Sequence, residues 1–243
     1  MRTKNPMLKS EAFKKAQSNG SVMTISGTVG KTFIMLLLLL GTAVYSYVQV
    51  LNQKMNMTVA ISAMIIAAIT AFIAILVPRI SPIAAPIYAA VEGVILGTVS
   101  ALYAIRFSDQ LILQAVLLTV SILFGLLLLY ATRTVKVGDK FRTGVSAATL
   151  GIAIMYLVVM VLHLFGIQVP FLHQGGTISI IVSAVIVVVA SLNLLLDFDF
   201  IEKGARQGSP KYMEWYGALG LMLTLVWLYL EILRLVSYFT KNN

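Results

Sequence analysis

No cysteine occurs among the 243 residues, which removes disulfides, thiolate nucleophiles and cysteine-ligated metals together. Two histidines, His163 and His173, have no ligand-like spacing, and the chain has no HExxH, nucleophile elbow or phosphate-cradling glycine loop. These absences argue against an enzyme and against a bound cofactor. Charge is scarce as well: 11% of the residues are charged and nine are acidic, against 59% hydrophobic residues and a mean hydropathy of +0.94. A soluble domain of this length carries far more charge, so the composition reads as an integral membrane protein. The apolar runs do not alternate in the manner of barrel strands. Each reaches the about 20 residues that a helix needs to cross ~30 Å of hydrocarbon.

The runs predict an all-α, polytopic fold with seven transmembrane helices near 33–51, 57–77, 82–105, 110–131, 144–166, 177–201 and 213–239. The connections between them are short, so a single transmembrane domain over 32–240 follows a polar, basic tail over 1–31. That tail lacks the apolar core and cleavage site of a secretory signal. With the N-terminus in the cytoplasm, fourteen of the eighteen basic residues fall inside, and Lys54, Arg106, Arg234 and Lys241 fall outside. This bias predicts a multi-pass protein of the plasma (inner) membrane with a cytoplasmic N-terminus and an external C-terminus. The net charge of +9 therefore reads as topology and contact with a lipid bilayer, not as nucleic-acid binding.

Two spans carry packing signatures. Ala85, Ala89, Gly93, Gly97 and Ala101 recur every four residues on the third span, and small residues at that interval let two helix backbones approach closely. On the seventh, Gly217, Gly220, Thr224 and Glu231 share one stripe.

With so few acids, their depth is informative, since an ionised side chain in hydrocarbon costs ~2.5–3.5 kcal/mol on the mildest scale. Glu92 lies about ten residues into the third span, ~15 Å deep, one turn after Tyr88. It is a candidate ion- or proton-pathway residue, against the plainer reading of a protonated glutamate bonded to a tyrosine or carbonyl. Asp197 and Asp199 sit near the end of the sixth span, and at i and i+2 they point to different helix faces. Asp197, deeper and one turn from Asn193, is expected to face inward and Asp199 to reach headgroup water. Glu231 is expected to pair with Arg234 at the outer interface. Glu11, Asp109, Asp139, Glu202 and Glu214 sit at ends or loops, where solvated or ion-paired roles are the ordinary expectation.

Four segments also resemble one family. Tyr88 to Gly97, YAAVEGVILG, resembles the glycine-containing motif of an early span in the Bax inhibitor, or transmembrane Bax inhibitor motif, family. Gln114 to Thr119, QAVLLT, with Ala131-Thr132-Arg133 and a basic loop behind it, is similar to that family's following helix and loop. Leu196 to Glu202, LDFDFIE, aligns with its aspartate-bearing segment, and Ala218 to Val236 with its closing helix. The resemblance implies seven helices with the last packed centrally. It also implies a pH-sensitive calcium leak in bacterial members, and calcium release with suppression of cell death in eukaryotic ones. Calcium is then a transported ion and not a cofactor. In the family two aspartates, on the sixth and seventh helices, close the path by sharing a proton or hydrogen bond.

This chain departs from that pattern. Asp197 takes the first aspartate's place, but Thr224 stands at the second, and Glu231 lies seven residues, ~10 Å, further along. Two substitutes follow: a hydroxyl partner at Thr224, or Glu92 meeting Asp197 across helices, with Glu92 preferred as the second acid. The gate and ion-binding set is thus Asp197, Glu92, Thr224, Asp199 and Glu231, with Asp197 and Glu92 the calcium ligands if calcium binds. The expected function is a passive, pH-sensitive calcium leak, with calcium or protons as the moving species. The alternative is a non-transporting regulator that binds membrane proteins such as a membrane protease through its helix faces and basic tail. A proton-coupled transporter is a third option.

Overall fold

In the computed structural model, residues 21–167 and 176–242 are described; His173 and most of the expected tail, including Glu11, lie outside them. The described residues form seven long helices: α1 (Ile25–Leu51), α2 (Met57–Leu76), α3 (Ser81–Arg106), α4 (Asp109–Ala131), α5 (Asp139–Leu164), α6 (Thr177–Arg206) and α7 (Met213–Asn242). All seven are long and apolar enough to cross a membrane, so the protein is a multi-pass membrane protein. Successive helices are antiparallel by connectivity. One end of the bundle carries Lys31, Arg79, Arg133, Arg142, Lys203, Arg206 and Lys211 and is here called the basic end.

The first helix begins at Ile25, eight residues before the expected span. Thr24 is its N-cap, accepting from Gly27 N–H at 2.9 Å, which satisfies a first-turn donor that would otherwise be orphaned. The early turns are polar because they are packed, not because they are a tail: Thr28 and Thr32 are buried, and their hydroxyls donate to the carbonyls of Thr24 and Thr28, each at 3.0 Å. Lys31 therefore belongs to the helix. Pro78 opens a single 3-10 turn before α3. Pro82 falls in the first turn of α3, where the missing N–H costs little, and Pro86 lies one turn further in.

Two helices form the centre. In α3 and α7, 56% of the most apolar stretch is buried, against 6% in α5. α7 packs on α1, α3, α4 and α6, so the last helix is enclosed by others. The most extensive packing is between α1 and α3, along the small-residue stripe. A Cβ added at Gly93 would overlap Leu39 O and Thr42 Oγ1, and one at Gly97 would overlap Ala43 O. Glycine is therefore required for these backbones to meet. Ser46 reinforces the seam, donating to Val94 O at 2.8 Å and bonding Thr98 Oγ1 at 2.8 Å.

Candidate functional site

Asp197 lies nine residues before the end of α6, so ~13 Å from the basic end. It lines a cleft of about 850 Å³ that also takes in Asn193, Lys203, Gln207, Tyr216 and Gly220. Gly220 of α7 lies beside it, and a Cβ added there would sit 3.8 Å from Asp197 Oδ1. One turn further, Thr224 interacts with the Asp197 carboxyl, and its hydroxyl also donates to Gly220 O at 3.3 Å. Oδ2 is buried with no hydrogen-bond partner among the described residues. A carboxyl oxygen held that way lacks ~1–3 kcal/mol of compensation, which a cation, a proton or a water can supply. Asn193, one turn before Asp197, points its amide at Thr149 Oγ1 (2.7 Å) and Val189 O (2.9 Å), tying α6 to α5.

The structure brings Thr224 to Asp197 and keeps Glu92 away. Glu92 is buried and bonds to Tyr88, one turn earlier on its own helix. Its depth is similar to that of Asp197, ~16 Å from the basic end, so depth is not the obstacle. α3 and α6 both pack on α7 and do not pack extensively on each other, so α7 stands between the two acids.

Asp199 differs from its expected position in headgroup water. It is buried, and its Oδ2 accepts from Arg142 of α5 at 2.5 Å and pairs with Lys203 at 2.8 Å. Two long basic side chains reach inward to meet it from the basic end, which is how a buried carboxylate stays compensated. Glu231 pairs with Arg234 at 3.2 Å, as its i,i+3 spacing suggests. A third member comes from another helix, without any local signal: Tyr156 of α5 donates to Glu231 Oε1 at 2.6 Å and accepts from Arg234 Nη1 at 2.6 Å. Glu231 is thereby fully engaged and far from Asp197.

The acid least visible in the sequence is Glu214. Of the solvated and ion-paired roles expected for it, it takes the second, and it is 0% exposed. It accepts from Thr24 N–H and Thr24 Oγ1, both at 2.9 Å, pairs with Lys31, and meets Lys211 at 3.1 Å. Gly27 makes room for it, since a Cβ there would overlap the carboxylate. Around this knot the segment before α1 runs antiparallel to the α6–α7 loop: Met23 N–H donates to Ser209 O at 2.7 Å and Lys211 N–H to Ser21 O at 3.1 Å. The Met23 side chain is buried against Gly204 and Gly217. Glu202 has a comparable set of partners in Tyr130, Arg133 and Arg206, and Asp109 accepts from Tyr47 at 2.5 Å.

Among the described residues no three His, Asp or Glu side chains come together in a way that could hold a metal ion. Asp197 thus stands as one carboxyl with a hydroxyl neighbour, not as a preformed calcium cage. A family model described as Bax inhibitor 1 like matches residues 5–241, nearly the whole chain. Among curated proteins, none matches the chain.

Proposed function

This chain belongs to the Bax inhibitor 1 like family, and on that footing we propose that it is a passive, pH-sensitive calcium leak controlled at Asp197. The observation that carries the reading is the Asp197 carboxyl: it lines a cleft open at the basic end, and its Oδ2 has no partner among the described residues. An ionisable group at that depth is by default part of an ion or proton path. Oxygen donors suit calcium, which takes ~6–8 of them, so one carboxyl can hold the ion only briefly, with water and backbone carbonyls completing the shell. Weak, transient holding is what conduction requires. Because a proton and a calcium ion compete for the same carboxyl, flux depends on pH. Thr224 takes the place of a second acid and leaves this a one-carboxyl gate. The basic end is the cytoplasmic end of a plasma-membrane protein, by the distribution of Lys and Arg.

The test is calcium entry into liposomes holding the purified protein, from about pH 5 to about pH 8. Wild type is expected to conduct with a rate that changes across that range, and Asp197→Asn to conduct at a rate that does not. No flux at any pH, or an unchanged pH profile in Asp197→Asn, refutes the reading. The first result would favour the regulator of membrane proteins.

A further inference from the structure

The cleft beside Asp197 is lined by residues of four helices, two of them at the centre of the bundle or beside it and two peripheral. α2 packs on α3 and α5 packs on α6, and the two do not pack extensively on each other or on α7. Yet Ile75 of α2 and Arg142 and Ser146 of α5 line the same space as α6 and α7. At about 850 Å³ it falls within the ~300–1,000 Å³ of ordinary small-molecule sites, and it has their composition, apolar walls with a few convergent polar groups. Leu196, Leu219 and Leu223 supply the walls.

The charges in this cleft are unequally satisfied. Arg142 and Lys203 are both turned onto Asp199, so neither is paired with Asp197. Asp197 Oδ2 is left buried and unpartnered. A buried carboxyl oxygen calls for a hydrogen-bond donor, and a carboxylate for a cationic one. An anionic amphiphile would instead bring like charge against Asp197.

We propose that this cleft is a binding site for a lipophilic ammonium, an amine on an apolar stem, with N–H donated to the Asp197 carboxyl and the stem lying along Leu196, Leu219 and Leu223. The inference builds on the reading of Asp197 as the cation-facing group of the leak, and such an amine would occupy the ion's place.

Binding is measured without flux, by calorimetry on the purified full-length chain in detergent. Three probes of one shape are compared: phenylbutylamine, phenylbutanol and phenylbutyrate. At about pH 8 the amine, with an ordinary pKa near ~10.4, is cationic. The amine is expected to bind at least ~10-fold more tightly than the alcohol. Asp197→Asn should bring it down to the alcohol's level, and Leu223→Trp, which fills the cleft while keeping the carboxyl, should weaken amine and alcohol alike. Equal affinity for the three probes, amine binding undiminished in Asp197→Asn, or no binding by any probe overturns the proposal. Amine binding in a protein that shows no calcium flux would leave this site standing and remove the leak. Flux without amine binding would do the reverse.

Discussion

Replacing Gly97 with alanine adds one methyl group where α1 and α3 touch backbone to backbone. The new Cβ would overlap Ala43 O and lie 2.8 Å from Ala43 C and 2.9 Å from its Cα, whereas ordinary contact begins near 3.4 Å. Backbone atoms cannot rotate aside as a side chain can, so the helices must separate by about an ångström. That displacement also stretches the Ser46 bonds to Val94 O and Thr98, each at 2.8 Å. Overpacking of this kind costs ~1–3 kcal/mol, roughly a 5- to 150-fold shift in the folding equilibrium. Gly125 and Gly151 lie within helices with nothing within 4 Å of an added Cβ; alanine there should be neutral or stabilising by up to ~1 kcal/mol. The assay is unfolding in mixed micelles followed by fluorescence of Trp215 and Trp227. Gly97→Ala as stable as Gly125→Ala would refute the close approach of α1 and α3.

Glu214→Gln keeps an acceptor for Thr24 but removes the charge facing Lys31 and Lys211, and is expected to cost ~1–3 kcal/mol in the same unfolding assay; no change would mean that the buried pairing contributes nothing. Thr224→Asp puts a second carboxyl beside Asp197, and two coupled acids titrate as a pair. Its calcium flux in liposomes is therefore expected to vary with pH differently from wild type, and an identical profile would show that Thr224 does not act on the path.

Hydropathy made the seven helices legible, because a membrane span is a property of composition over about 20 residues. It misled at the start of α1, where Thr28, Lys31 and Thr32 are polar yet face protein rather than water. Depth along a helix was legible for Glu92 and Asp197, but which helix stands between two others is not a local property, and α7 separates that pair. Asp199 was misread, and the burial of Glu214 missed, for a related reason. Their burial depends on basic side chains from other elements, Arg142 on α5 and Lys31 on α1, and spacing along one helix carries no trace of those partners. The pairing of Glu231 with Arg234, three residues apart, was readable because it is local.

The attachment of Thr24 to Glu214 joins positions 190 residues apart, and this bears on how the protein is made. At ~5–20 residues per second, α1 waits roughly 10–40 s in the bilayer before the carboxylate that fixes its first turn is synthesised. During that interval Lys31 has no Glu214, and the Met23 side chain has neither Gly204 nor Gly217 to lie against. Until then α1 has α3 to rely on, whose glycines are already in place, so the order of synthesis allows α1 to meet α3 early and requires closure at the basic end to come later. A ribosome stalled before residue 214 would hold a nascent chain with its core seam formed and its basic end still open.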